Sequence, residues 1–374
     1  MSRFSKDEEV YFYNKETNEI LAGKIFDIKD KNEYQIICYI DMKSRVTPYT
    51  PIVSESEISH NKDELEYLVK NTQIYKRYKL LLRNISKTDK GLEIGPFYHP
   101  IAPKKDGWQT TIVDICSKED LIKKLSPEIM SHGLSKNIED IDILWDWKNE
   151  SLEEAVKNKV GNNLDYIISS HSIEHVVDIL DFLKSCSNLL KESGVFNLAV
   201  PDLRYNFDFF RNPSSLGQVL SVYNNKTKRH SSEVYLDSIN HQSWADKQSA
   251  WRPHSSQEVV LYPQKLEVSW KLYQDNLISE NHTDCHNWAF TPSSFKLLFF
   301  ELLVLGFIDL MVNKIVQDDS ENGSEFIVQL IKIDKTSIEM KSEEIHEHRL
   351  KLLSNIVIEL AQRVEIGKLK YHYL

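Results

Sequence analysis

LDYIISSHSIEHVVDILDFLKSCSNLLKESGVFNLAVPD, residues 164–202, holds a strand, a helix and a second strand in immediate succession. LDYIISS is a short apolar run of the kind that forms a buried strand. Ile179, Leu180, Leu183, Cys186, Leu189 and Leu190 then recur at helical spacing, and VFNLAVP is the next apolar run. Ser170 or Ser172 is placed to cap the helix, and KESG to close it, with Gly194 suited to the left-handed position after a helix. Strand–helix–strand order predicts a parallel sheet with helices on both faces.

The same grammar extends outward. Upstream, GLEIG (91–95) and TTIVDI (110–115) read as strands ending in glycine and in an acid, and DIDILWDW (140–147) as a third. Downstream, TPSSFKLLFFELLVLG (291–306) reads as a helix, FIDLMV and SEFIVQLIK as a closing strand pair, and residues 338–370 as a charged amphipathic helix. Residues 8–53 are β-rich: two strands flank an Asn-Lys-Glu-Thr-Asn turn, YQIICYIDM follows, and the set predicts a small barrel or curled sheet. Leu65, Leu68, Val69, Ile74, Tyr78, Leu81, Leu82 and Ile85 predict a helix over 62–85. The expected organisation is a β-rich module (1–58), a linking helix (59–88), an α/β domain (89–334) and a C-terminal helix (335–374). Residues 205–285, dense in Asn, Ser, His, Trp and Tyr without a clean period, read as an insertion over the open end of the sheet, where ligands bind.

With 374 residues, 41% hydrophobic and 27% charged, the chain has ample material for a core. Its 46 basic and 56 acidic residues give a net charge of −10, which argues against bulk electrostatic binding to nucleic acid. Cys38, Cys116, Cys186 and Cys285 are widely spaced with no CxxC, which fits free thiols in a reducing compartment and disfavours a zinc site built on cysteine. MSRFSKDEEV lacks the apolar core of a signal peptide. Lys296, Glu301 and Asp309 break the most hydrophobic stretch, so no membrane span is expected. The chain reads as cytoplasmic, and the sequence leaves open whether it forms a homo-oligomer.

Two constellations carry chemistry. Glu93 and Gly95 stand at one strand end and Asp114 at the next; a glycine there lets backbone approach a ligand, and an acid about 20 residues on suits ribose hydroxyls. The full G-x-G-x-x-G is absent, with Pro96 and Phe97 in the turn. The second is His171-x-x-Glu174-His175, which on a helix would share one face. Its order is that of an inverted zinc-peptidase motif. That motif needs both histidines inside a helix, whereas His171 falls at the strand–helix junction, so a structural histidine at the sheet end is the ordinary reading. Asp284-Cys285-His286 alternates so that both polar side chains face one way: base with orienting acid, metal ligands, or polar groups satisfying a loop. Asp237 and His241 form a weaker pair. Trp244, Trp251, Trp270 and Trp288 suit stacking on sugar faces, although buried packing is the commoner fate of tryptophan.

Taken in order, GLEIGPFYHPIAPK, TTIVDICSKEDL and residues 164–202 resemble a class I S-adenosylmethionine-dependent methyltransferase. PDLRYNFDFFR (201–211) and DCHNWAFTPSSF (284–295) sharpen the likeness to a bacterial subgroup associated with surface-glycan biosynthesis. The resemblance covers about residues 90–332. It implies a Rossmann-like sheet, parallel with an antiparallel closing strand. It also implies cofactor contacts from Glu93 and Gly95 toward the methionine part, Asp114 to the ribose hydroxyls, Asp142 or Asp146 near adenine, and Ser170 and His171 along the methyl-donor site. The chain departs from the usual E-x-G-x-G turn, with Phe97 in place of the second glycine.

The implied function is methylation of a sugar, nucleotide sugar or glycan end. A sugar hydroxyl needs a positioned base, or a divalent metal such as Mg2+ that lowers its pKa. Candidates are His171, His175, Asp202, Arg204, Tyr205, Asp208, Asp284 and His286. Alternatives are a methyltransferase acting on a small metabolite or protein side chain, and a non-catalytic protein that binds a partner through its β-rich module. An RNA methyltransferase is disfavoured by charge and by Ser-Ser-His where an Asn-Pro-Pro-Tyr type motif would follow the fourth strand.

Overall fold

The computed structural model describes the chain except residues 1–3, 15–18, 31–32, 43–44, 50–51, 55–57, 63–75, 128–129, 131–132, 246, 252–257, 264, 280, 318–322, 335–339 and 367–374. Two compact units are present, Met1–Arg77 and Tyr78–Leu374.

The first unit is an antiparallel sheet of β1 (Glu9–Asn14), β2 (Glu19–Asp30), β3 (Glu33–Met42), β4 (Arg45–Tyr49), β5 (Ile52–Ser54) and β6 (Ile58–Ser59). Its order is β4-β3-β2-β1-β6, with β5 also on β3. Phe4, Val10, Phe12, Ile25, Tyr34, Ile36, Val53 and Ile58 form its own core. The Asn-Lys-Glu-Thr-Asn turn and most of the helix expected over 62–85 lie outside the described residues; residues 76–81 are helical.

The second unit contains β7 (Gly91–Ile94), β8 (Thr110–Asp114), β9 (Ile143–Leu144), β10 (Leu164–Ser170), β11 (Leu190–Pro201), a separate β12 (Ser243–Ala245) and β13 (Val259–Leu261) ribbon, then β14 (Leu310–Gln317) and β15 (Glu325–Lys332). The large sheet runs β14-β15-β11-β10-β7-β8-β9. β15 pairs antiparallel with β11 and β14, and the remaining pairings are parallel. This is the Rossmann-like sheet expected from the sequence, parallel with an antiparallel closing strand. Its order reverses between β7 and β10, the point at whose carboxyl ends open α/β sheets have their ligand crevice.

Alternation along the strands builds two cores. Ile167, Phe196, Leu198 and Val328 pack beneath Leu180, Leu183, Phe295 and Phe299 of the helices Ile179–Leu189 and Pro292–Val304. Tyr166, Ile168, Ala199 and Ile327 face the other way, onto Leu81, Ile101 and Ala102. Thr291 starts the second helix with a capping box to Ser294 and Pro292 in its first turn. The C-terminal helix, Ser342–Ile366, packs back on the unit: Glu359 accepts from the Ser293 hydroxyl at 2.7 Å, and Arg363 donates to the Phe209 and Arg211 carbonyls at 2.6 and 2.9 Å. Among the described residues no helix is long and apolar enough to cross a membrane.

Three local expectations are corrected. Residues Ile173–His175 form a 3-10 turn, and the helix begins only after Asp178, whose carboxylate caps Leu180 and Asp181. Val176 is extended because its carbonyl is taken by Trp288 Nε1 at 2.6 Å, so neither Ser170 nor Ser172 caps the helix. At the other end Ser193, not Gly194, takes the left-handed conformation, with φ 62°. Gly194 lies within β11 where a Cβ would sit 2.9 Å from the Lys191 carbonyl oxygen. The third strand is reduced to Ile143–Leu144.

Gly91 shows how tightly the sheet centre is packed. A Cβ there would lie 1.9 Å from Cζ of Tyr166, whose hydroxyl is fixed by Thr110 Oγ1 at 2.5 Å. Gly91→Ala is expected to destabilise the second unit by about 1–3 kcal/mol, read as a lowered urea midpoint; an unchanged midpoint would show that the ring can move aside.

Candidate functional site

The carboxyl edge of the sheet gathers six buried acids: Glu93, Asp114, Glu174, Asp202, Asp208 and Glu325. Five have close partners. Glu93 accepts from the Ile101 and Ala102 amides at 2.7 and 3.0 Å, which fixes the loop after β7. Within that loop Gly95 and Phe97 are left-handed, with φ 63° and 47°. A Cβ on Gly95 would stand 3.0 Å from Ser172 Oγ, so the glycine lets the loops after β7 and β10 approach across the crevice. Asp114 ends β8 and accepts from the Cys116 amide at 2.9 Å. Burial raises its pKa against the pull of the Cys116 and Ile115 amides and of Lys124.

Asp202 holds Arg204 through two forked contacts, Nε to Oδ1 at 2.9 Å and Nη2 to Oδ2 at 2.6 Å. Arg204 Nη1 also reaches Gln362 on the C-terminal helix at 3.0 Å. The pair is therefore committed to bracing the loop after β11, and Asp202 has no carboxylate oxygen to spare for a substrate. Asp208 joins Arg211 at 2.8 Å and His286 Nδ1 at 2.5 Å. Its pKa is lowered despite complete burial, because His286 and Arg211 favour the charged form. Glu325 opens β15 and meets His171 Nε2 at 2.5 Å.

Three of the predicted residues, His171, His175 and His286, lie around Glu174, and a fourth, Asp284, backs His175. His171, itself left-handed at φ 51°, has Nδ1 3.6 Å from Glu174 Oε1, and His175 has Nε2 3.9 Å from it. His175 Nδ1 is paired with Asp284 at 2.9 Å. Burial would lower the His175 pKa, but Asp284 and Glu174 outweigh it and the pKa is raised; the pKa of Asp284 is lowered against burial by His175. The His175 and His286 rings stand 4.8 Å apart at 89°. His171 lies just past the end of β10, at the strand–helix junction as expected, and Glu174 and His175 sit on a 3-10 turn facing the segment 284–288.

Other predicted residues lie elsewhere. Asp142 precedes β9, where its carboxylate accepts from Lys104 at 2.8 and 3.0 Å and from the Ile112 amide at 2.8 Å, so it serves the sheet; Asp146 follows the strand. Asp237 and His241 are solvent-facing and 3.8 Å apart. Tyr205 and Trp251 belong to a small core with Phe209, and Trp288 to the main core. Trp270 is exposed and stacked on Tyr273. The sequence reading missed Glu325, whose signal is a charge opening an otherwise apolar strand. An open cleft of about 340 Å³ beside the loop after β7 includes Tyr98, His99, Lys105 and Trp108, but none of the six acids or the clustered histidines. The donors around Glu174 are rich in imidazole nitrogen, which does not suit magnesium, an ion that takes oxygen ligands.

No protein-family model matches the sequence, and no curated protein does. Among solved structures the chain is similar to an S-adenosylmethionine-dependent methyltransferase from Listeria monocytogenes, at 9% identity over 71% of this chain and 100% of that one, with a TM-score of 0.36. It is similar to a zinc-dependent alcohol dehydrogenase from Rhodobacter sphaeroides at 14% identity over 69% and 90%, TM-score 0.37. It is also similar to magnesium protoporphyrin IX methyltransferase from Synechocystis PCC 6803, with S-adenosylhomocysteine bound, at 8% identity over 73% and 89%, TM-score 0.32. Likenesses this distant assign no activity to the chain.

Asp208→Ala leaves Arg211 buried without its carboxylate and releases His286. A loss of about 3–5 kcal/mol in unfolding free energy is expected; a variant as stable as the wild type in urea would show that the triad is dispensable for folding.

Proposed function

We propose that the chain is an S-adenosylmethionine-dependent methyltransferase that O-methylates a sugar, nucleotide sugar or glycan end. The observation that carries this reading is Asp114. Its buried carboxylate ends the strand beside the crevice at which the sheet order reverses. Beside it the left-handed Gly95 turn leaves room for a ligand's close approach. These residues fit the cofactor: Asp114 would accept from both ribose hydroxyls, Gly95 and Ser172 would border the methionine part, and Asp146 suits the adenine side better than Asp142. When bound, S-adenosylmethionine supplies a methyl group already activated on a sulfonium.

The protein's share is then alignment and proton removal. Among the clustered histidines His171 is the one an acceptor reaches most readily, with its side chain 44% exposed against 9% for His286. A proton on Nε2, donated to Glu325, leaves the lone pair on Nδ1 as the base for the acceptor hydroxyl. Glu325 is the positioning residue. The free thiols of Cys116, Cys186 and Cys285 support a reducing, cytoplasmic setting. The net charge of −10 argues against a nucleic-acid acceptor.

Asp114→Ala is expected to weaken S-adenosylmethionine binding by about 1–3 kcal/mol, and unchanged affinity would remove the ribose assignment. Binding should also weaken as pH falls into the raised titration range of Asp114, because the protonated acid accepts poorly; Asp114→Asn should flatten that profile. Radiolabelled methyl transfer to a panel of nucleotide sugars and glycan ends tests the acceptor. There His171→Asn should lower turnover by about 10²–10⁴-fold while S-adenosylhomocysteine affinity stays within a few-fold. Full turnover by that variant would exclude His171 as the base.

A further inference from the structure

Glu174 is the exception among the six buried acids. It is 1% exposed, and neither carboxylate oxygen has a hydrogen-bond partner among the described residues. A buried carboxylate without a compensating partner is costly, by several kcal/mol after relaxation. The imidazoles nearest to it are held beyond hydrogen-bond range, at 3.6 and 3.9 Å. Two of the surrounding histidines are oriented in the same manner. His175 and His286 each have Nδ1 paired with a carboxylate, Asp284 or Asp208, which leaves Nε2 as the ring nitrogen for another ligand. One donor atom from each of Glu174, His175 and His286 lies within 4.8 Å of the others.

We infer that Glu174, His175 and His286 form a binding site for a divalent transition metal of the zinc class, with a coordination position open to water or an acceptor hydroxyl. The donor set is two imidazoles and one carboxylate, the composition that leaves a catalytic zinc one open position. Carboxylates on the far nitrogens of metal-bound histidines fix ring orientation and raise ligand basicity, the roles Asp284 and Asp208 are placed to fill. Donors on a tetrahedral zinc stand about 3.3 Å apart, so side-chain rotations of about an ångström close the set on one ion. The ligand-bearing segments are already cross-braced: the Glu174 carbonyl accepts from the Asn287 and Trp288 amides at 2.7 and 3.1 Å, and Asn287 Nδ2 donates to the Val177 carbonyl at 2.9 Å.

A neighbouring group, His230, His282 and Asp284, is less suited to a metal. Both His230 nitrogens lie on carbonyl oxygens, of Thr283 at 3.1 Å and of His175 at 2.9 Å, and Asp284 is engaged by His175. It supports His175 from behind. A metal at Glu174 would supply the charge that this carboxylate lacks and would lower the pKa of an oxygen bound in the open position. Metal binding itself is independent of methyl transfer, since these ligands are not those assigned to the cofactor or the base; an acceptor hydroxyl in the open position rests on the methyl-transfer reading.

The test uses the full-length chain stripped with a chelator, then titrated with Zn2+ against a chromophoric competitor, with bound metal counted by plasma mass spectrometry. One equivalent of zinc is expected, and Co2+ in its place should give the visible spectrum of a low-coordinate nitrogen–oxygen site. Glu174→Gln, of nearly unchanged shape, and His286→Ala should each weaken binding at least tenfold, while His241→Ala, a half-exposed histidine outside the cluster, should not. Circular dichroism and thermal melts confirm that each variant folds. Absence of stoichiometric binding, or wild-type affinity in folded Glu174→Gln, overturns the site. S-adenosylhomocysteine titrated into the same samples separates the two readings: zinc without it upholds the metal site and contradicts methyl transfer, and the converse overturns the metal site alone.

Discussion

Concentrating buried carboxylates at one edge of a sheet is the constraint on which the second unit depends. Each of the acids there would be expensive to bury alone, and all but Glu174 dictate what the chain around them must provide. Glu93 calls for two amides and thereby shapes the loop after β7. Asp202 calls for Arg204, which ties the loop after β11 to the C-terminal helix. Asp208 calls for Arg211 and His286 and so draws the segment 284–288 onto the site. The compact arrangement of loops follows from satisfying these charges as much as from the hydrophobic cores beneath.

Topology supplies part of that satisfaction. Because β15 runs antiparallel between β11 and β14, its first residue lies at the carboxyl end of the parallel strands, with Glu325 opposite Pro201. A strand inserted in the parallel sense would have delivered its other end. The closing strand therefore does more than cover the sheet edge: it places an acid against His171, where the crevice between β7 and β10 begins.

Much of this was legible in the sequence, and the failures have physical causes. Apolar runs and helical spacing gave the strands and helices of the large sheet, including the closing pair, because their burial is periodic. Asp114, His171, His175, Asp284 and His286 could be singled out because polar residues at strand ends and in aromatic loops stand out. Asp142 and Asp146 could not be told apart, since a two-residue strand does not reveal which end of it faces the crevice. Ser172 looked like the helix cap because nothing local shows that Trp288 takes the Val176 carbonyl and delays the helix to Asp178. Glu325 and the convergence on Glu174 depend on contacts more than 100 residues apart in sequence, which periodicity cannot register.

The central claim is that the crevice between β7 and β10 holds S-adenosylmethionine, and its most direct test is calorimetric titration of the intact chain with S-adenosylmethionine and S-adenosylhomocysteine. The account predicts one site for each, with dissociation constants of about 1 μM to 1 mM, the range in which enzymes commonly hold substrates. No heat of binding from either ligand, with the chain shown to be folded, would contradict it.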